Sequence, residues 1–122
     1  MACNLLIVDD SQTMRKVIRK SVSLAGVELG DCYEAGSGQE ALKLLSEHLI
    51  DLIFTDLNMP EMDGLEFIQE LKGDEKLKRI PVVLITSMKG EPRIQEAIGL
   101  GILGFIQKPF HPEALRDLLA PK

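Results

Sequence analysis

The feature that most restricts this chain is a set of short, unbroken apolar runs, each closed by residues that carry chemistry. Leu5-Leu6-Ile7-Val8 runs into Asp9-Asp10, and Leu52-Ile53-Phe54-Thr55 into Asp56. Val82-Val83-Leu84-Ile85 runs into Thr86-Ser87, and Phe105-Ile106-Gln107 into Lys108-Pro109. Apolar runs without polar alternation read as strands covered on both faces, which belong to parallel sheets. The expected strands are Asn4–Val8, Asp51–Asp56, Ile80–Thr86 and Gly104–Gln107, with Cys32–Ala35 a weaker fifth.

Between them lie segments of helical spacing. Ser11–Leu24 sets Met14, Val17, Ile18 and Val22 on a stripe with Arg15, Lys16, Arg19 and Lys20 interleaved, Ser11 as N-cap and Gly26 as the stop. Ser37 or Gly38 opens a second helix through Ala41, Leu42, Leu44 and Leu45 to about His48. Pro60 and Asp63-Gly64 carry turn chemistry, after which Leu65, Ile68 and Leu71 share a face. Glu91–Leu100, with Pro92 in its first turn, and Pro112–Leu119 complete the set. Five such βα units with short links predict an α/β domain: a flavodoxin-like, doubly wound, five-stranded parallel sheet of order 2-1-3-4-5 with five helices.

At 122 residues the chain fits one domain, residues 1–122, with a core of its own. A net charge of −5, without basic runs interleaved with aromatics, argues against a nucleic-acid surface. Cys3 and Cys32 are too few for a disulfide framework and read as reduced core residues. The first apolar stretch lacks a basic flank and is far too short for a signal peptide or a membrane span, so the expectation is a cytoplasmic protein that does not engage membranes.

Parallel strands bring their C-terminal ends to one edge, and open α/β sheets bind ligands there. Asp9, Asp10 and Asp56 would then crowd within a few ångströms, and mutually repelling carboxylates call for a cation or a shared proton. Mg²⁺ suits a site of carboxylate, carbonyl, water and phosphate oxygens. A solvated acidic loop at helix N-termini explains one or two of these acids, but not Asp56, Thr86 and Lys108 each closing an apolar run. A carboxylate, a divalent ion, an ammonium and a hydroxyl form a set for phosphoryl transfer onto Asp56.

Together, Asp9-Asp10, Asp56-Leu57-Asn58-Met59-Pro60, Met62-Asp63-Gly64, Thr86-Ser87 and Lys108-Pro109-Phe110 resemble the signature of response-regulator receiver domains of two-component signalling, of the single-domain chemotaxis type. The resemblance covers essentially the whole chain in order. It implies Asp56 as phospho-acceptor, Asp10 as a direct Mg²⁺ ligand, Asp9 acting through water, and the Asn58 carbonyl completing the protein ligands. Thr86 is implied as the switch hydroxyl, Lys108 as the partner of the phosphoryl oxygens, and the peptide into Pro109 as cis. Phe105 matches the aromatic that couples the site to the face of the fourth helix, fifth strand and fifth helix, although a phenylalanine there also reads as plain core. Asn58 and Met88 match positions that tune phosphoryl lifetime, Met88 being unable to orient a water.

By the same resemblance the donor is a sensor histidine kinase or phosphotransfer protein. The output is a protein target, and the chain is a monomer or a phosphorylation-dependent dimer. Such a domain is a signalling device that phosphorylates and dephosphorylates itself, not a turnover enzyme. His48 and His111 read as ordinary residues, as does the basic face of the first helix, with docking to an acidic partner as its alternative use. The chain ends at Lys122 just after its last helix, so either a stand-alone receiver or one excised from a larger regulator fits.

Three other functions compete. An aspartate-nucleophile phosphatase needs a second acid two residues after the nucleophile, where Asn58 stands, and a cap insertion that this length does not hold. A flavodoxin-type cofactor carrier would meet repulsion at Asp9-Asp10. A phosphorylation-independent interaction module of the same fold has no need of the Asp, Thr and Lys set.

Overall fold

In the computed structural model, residues 2–59, 61–87, 92–108 and 112–119 are described. The elements alternate along the chain. They are β1 (Cys3–Val8), α1 (Gln12–Leu24), β2 (Leu29–Ala35), α2 (Gly38–Glu47), β3 (Leu52–Asp56), α3 (Gly64–Lys72), β4 (Val82–Thr86), α4 (Pro92–Gly99), β5 (Gly104–Gln107) and α5 (Pro112–Leu119). The strands form one parallel sheet in the order β2-β1-β3-β4-β5, the order expected of a flavodoxin-like domain.

The unbroken runs feed two cores because successive side chains on a strand point to opposite faces. Leu5, Ile7, Phe54, Val83, Ile85 and Ile106 face α1 and α5 through Ile18, Val22 and Leu115. Leu6, Val8, Ile53 and Leu84 face α2, α3 and α4 through Leu45, Ile68 and Ile94. None of the helices among the described residues is long and apolar enough to cross a membrane.

Most helix ends obey their sequence signals. The Ser11 and Ser37 hydroxyls accept the backbone N–H groups of Met14 and Glu40. Asp63 and Glu66 form a reciprocal capping box, which starts α3 at Gly64, one residue earlier than the apolar face suggests. α1 ends at Leu24, with Ala25 as its C-cap directly before Gly26.

Several expectations are corrected. β2 begins at Leu29 instead of Cys32, because an irregular register between Cys3 and Leu5 hides its alternation. Glycine suits position 30 of that strand, because a Cβ there would come within 3.2 Å of the Ala2 side chain and closer still to the Asn4 amide. Cys3 and Cys32 are half-buried free thiols at the margin of a core rather than inside it. Val17 is exposed while Ser21 is buried in the α1 stripe. Phe105 is no core residue: 45% of its surface is exposed. It lies on the sheet's terminal strand, and its neighbour Ile106 takes the covered face. His48, the C-cap of α2, stacks on Tyr33 of β2 with ring centroids 4.3 Å apart, a pairing the sequence does not signal.

Candidate functional site

Strand register assembles the site. Val8 pairs with Thr55, so Asp9 emerges beside Asp56. Asp56 pairs with Ile85, which puts Thr86 one step beyond it, and Thr86 pairs with Gln107, which precedes Lys108. The Lys108 N–H donates to the Thr86 carbonyl (2.7 Å), extending the ladder to the residue whose side chain matters. Asp9 donates its N–H to Ala35 at the end of β2 (3.0 Å).

Asp9, Asp10, Asp56 and Lys108 therefore meet. The Lys108 ammonium lies 3.3 Å from Asp9 Oδ2 and 3.4 Å from Asp56 Oδ1. One carboxylate oxygen from each of Asp9, Asp10 and Asp56 can be chosen so that all three lie within 4.8 Å of one another. Asp9 is 1% exposed, Asp56 is buried, and Asp10 faces solvent. Asp9 Oδ1 also accepts the Ser11 N–H (2.8 Å) at the start of α1. Thr86 is fully buried at the end of β4, and Ser87 beyond it is exposed.

Burial pushes the Asp56 carboxyl above its ordinary range; Lys108 opposes that shift and Asp9 adds to it. One ammonium thus serves two buried carboxylates with a third acid beside them. An all-oxygen donor set with surplus negative charge fits a hard divalent cation and not a soft metal.

The loop after β3 is held at its base by Leu57 N–H to Ile85 carbonyl (3.2 Å) and Gly64 N–H to Leu57 carbonyl (2.8 Å). A Cβ at Gly64 would lie 2.8 Å from Leu57 Cα, so glycine is what lets α3 start this close to Asp56. Asn58, Asp63, Glu66 and Asp10 border an open cleft of about 420 Å³ that Arg93 of α4 also lines. The Arg93 guanidinium donates to Asn58 Oδ1 (2.8 Å) and Asp63 Oδ2 (3.0 Å). Sequence reading misses Arg93, which sits inside a helical pattern with no local sign of its partners.

Arg15 departs from the solvated face expected of it. It pairs with Glu34 on β2 (2.9 Å) and donates to the Asp9 carbonyl, while Lys16, Arg19 and Lys20 stay exposed. Pro60, Met88, Glu91, Pro109, Phe110 and His111 lie outside the described residues, and with them the turn at Pro60, the first residue expected of the fourth helix, the implied cis peptide and the lifetime position at Met88.

A family model described as the response regulator receiver domain matches residues 5–120. The chain is 39% identical over 116 residues to chemotaxis protein CheY1 of Helicobacter pylori, covering 94% of this chain and 92% of that protein. Among solved structures it is similar to chemotaxis protein CheY4 of Vibrio cholerae, with a TM-score of 0.84, 31% identity, and 98% and 97% of the two chains covered. It is also similar to the signal receiver domain of a signal transduction histidine kinase from Syntrophus aciditrophicus, with a TM-score of 0.81, 32% identity, and 98% and 91% covered.

Proposed function

The chain belongs to the response-regulator receiver family, with chemotaxis CheY proteins among its relatives, and on that premise we propose that Asp56 accepts a phosphoryl group from a phosphohistidine donor. The observation that carries the assignment is Lys108 lying between Asp9 and Asp56 at the end of the sheet. An Asp56 oxygen attacks phosphorus in line, the P–O bond forming as the donor's P–N bond breaks. Lys108 follows the charge onto the phosphoryl oxygens, leaving Asp9 less compensated than before. Asp9, Asp10, Asp56 and the Asn58 carbonyl would hold Mg²⁺, which supplies charge neutralisation at the transferring group when bound. Both Asp9 oxygens already accept N–H groups, which supports Asp10 as the direct ligand and Asp9 as one acting through water.

Thr86, buried at the same edge, would supply the hydroxyl that follows the new phosphoryl oxygens. Phe105, two pairings along from it, lies outward. Ile98, Leu103 and Phe105, each more than two-fifths exposed, give the α4–β5 side an apolar surface for a protein target. The role is signalling between a histidine kinase or phosphotransfer protein and that target.

The test is phosphoryl uptake from acetyl phosphate, read by intact mass with and without Mg²⁺, beside Asp56→Asn. One phosphoryl group requiring both Mg²⁺ and Asp56 is the expected result. No uptake, with no spectral change under beryllofluoride and Mg²⁺, would leave a phosphorylation-independent interaction module.

A further inference from the structure

The chemistry proposed for Asp56 depends on a backbone oxygen carried by a loop, and the geometry points to Arg93 as the residue that sets that loop. We propose that Arg93 is a positioning residue for the divalent cation: from α4 it clamps the β3–α3 loop so that Asn58 is held ready for the metal. This inference rests on the receiver reading of the site.

The loop needs such a clamp. Its base is fixed by the Leu57 and Gly64 backbone bonds, but Asn58 and Asp63 project into an open cleft. Glu61, between them, has φ of +67°, a left-handed conformation that a glutamate seldom adopts without support from its surroundings. Arg93 reaches the loop from a different element and grips it on both sides of Glu61, through Asn58 Oδ1 at 2.8 Å and Asp63 Oδ2 at 3.0 Å. Asp63 is also the N-cap of α3, so the same guanidinium ties the start of that helix to α4. A planar fork with several N–H donors serves two acceptors at once; an ammonium serves them less well.

Two physical effects of Arg93 on a cation have opposite signs, which makes the proposal testable. Through space, a guanidinium on the cleft that Asp10 also lines repels a divalent ion, so its removal would tighten binding. Through the loop, it pre-organises the Asn58 carbonyl, so its removal would weaken binding. Groups that orient metal ligands from outside the coordination sphere typically change affinity about 10- to 100-fold. Because the clamp acts on a backbone oxygen through a side chain, the lower end applies, and positioning outweighs screened repulsion at the open cleft.

The experiment is a calorimetric Mg²⁺ titration of the whole protein, wild type beside Arg93→Ala and Arg93→Lys. Amide hydrogen exchange of the metal-free proteins is measured in parallel. The expected result for Arg93→Ala is a Kd raised about tenfold and faster exchange at Asn58, Met59 and Glu61, with exchange in β3 and β4 unchanged. Arg93→Lys should fall between wild type and Arg93→Ala, and it decides the matter if the alanine variant does not fold. An unchanged or tighter Kd, or unaltered loop exchange, would overturn the clamp while leaving the receiver reading intact. A wild-type protein that takes up no Mg²⁺ would overturn both, and the wild-type titration alone reveals it.

Discussion

Replacing Asp56 with asparagine should make the metal-free protein more stable, although it removes the proposed phospho-acceptor. At an effective dielectric of about 20, the Lys108–Asp56 pair at 3.4 Å contributes roughly 5 kcal/mol of attraction. Asp9, within 4.8 Å, returns about 3.5 kcal/mol as repulsion, and exposed, well-screened Asp10 adds about 1 kcal/mol more. These nearly cancel, so the uncompensated quantity is the burial of the Asp56 charge, which is also the first cause of its raised pKa. Asparagine keeps the shape and loses the charge, while Lys108 keeps Asp9 at 3.3 Å.

Allowing for relaxation and water penetration, the gain at neutral pH should be about 1–2 kcal/mol. That is roughly 4–8 °C in Tm for a domain of this size. The pH dependence follows from the direction of the shift. A carboxyl raised in the folded state favours folding while protonated and loses that contribution as pH rises through its folded value. The gap between Asp56→Asn and wild type should therefore be absent below the unfolded value near 3.8, open as pH rises, and be full at neutrality. Saturating Mg²⁺ should reverse the order, since a ligand at a hundred times its Kd stabilises by about 2.7 kcal/mol and the variant binds it more weakly. Differential scanning calorimetry from acid to neutral pH, with and without Mg²⁺, reads all of this. A variant no more stable than wild type at pH 7 without metal would refute the charge argument.

Lys108→Met should destabilise the metal-free protein by about 3 kcal/mol, because it strands two buried carboxylates, and should enlarge the stabilisation by Mg²⁺; urea unfolding measures both. Phe105→Ala should cost no more than about 1 kcal/mol, against the 3–5 kcal/mol of a buried phenylalanine, and a urea midpoint far from wild type would contradict its outward position. Arg15→Ala should cost about 1–2 kcal/mol through its lost bonds to Glu34 and the Asp9 carbonyl, whereas Lys16→Ala should change stability by less than about 0.5 kcal/mol in the same assay.

The difference between what the sequence discloses here and what it withholds lies in how each side chain is positioned. Asp9, Asp56, Thr86 and Lys108 are legible because each ends an apolar run, and parallel register brings run ends together whatever the loops do. The two-sided core makes those runs unmistakable; the alternation with helices implies a parallel sheet, and its strand order is the one a flavodoxin-like domain has. β2 is half legible because an edge strand pairs on one side, tolerates Gly30 and Asp31, and breaks its period at an irregular register. Phe105 misleads for a related reason: apolar character argues burial, but a terminal strand has a face that α4 does not cover.

Helix-borne polar side chains are the least legible, because an amphipathic pattern reports which face is apolar and is silent about where a long cation reaches. Arg15 crosses 19 positions to Glu34, and Arg93 crosses 35 to Asn58 and 30 to Asp63. Both connect the helical layers to the C-terminal edge of the sheet, Arg15 at the Asp9 carbonyl and Arg93 at the loop after β3. Residues that would do the chemistry are thus encoded by strand ends, which hydrophobic burial fixes. The residues that hold them in place are encoded by contacts formed only once the layers have packed. A substitution at Arg93 should therefore leave the strand-end signature unchanged while altering how the site binds its cation, and the signature alone does not determine how a given receiver performs.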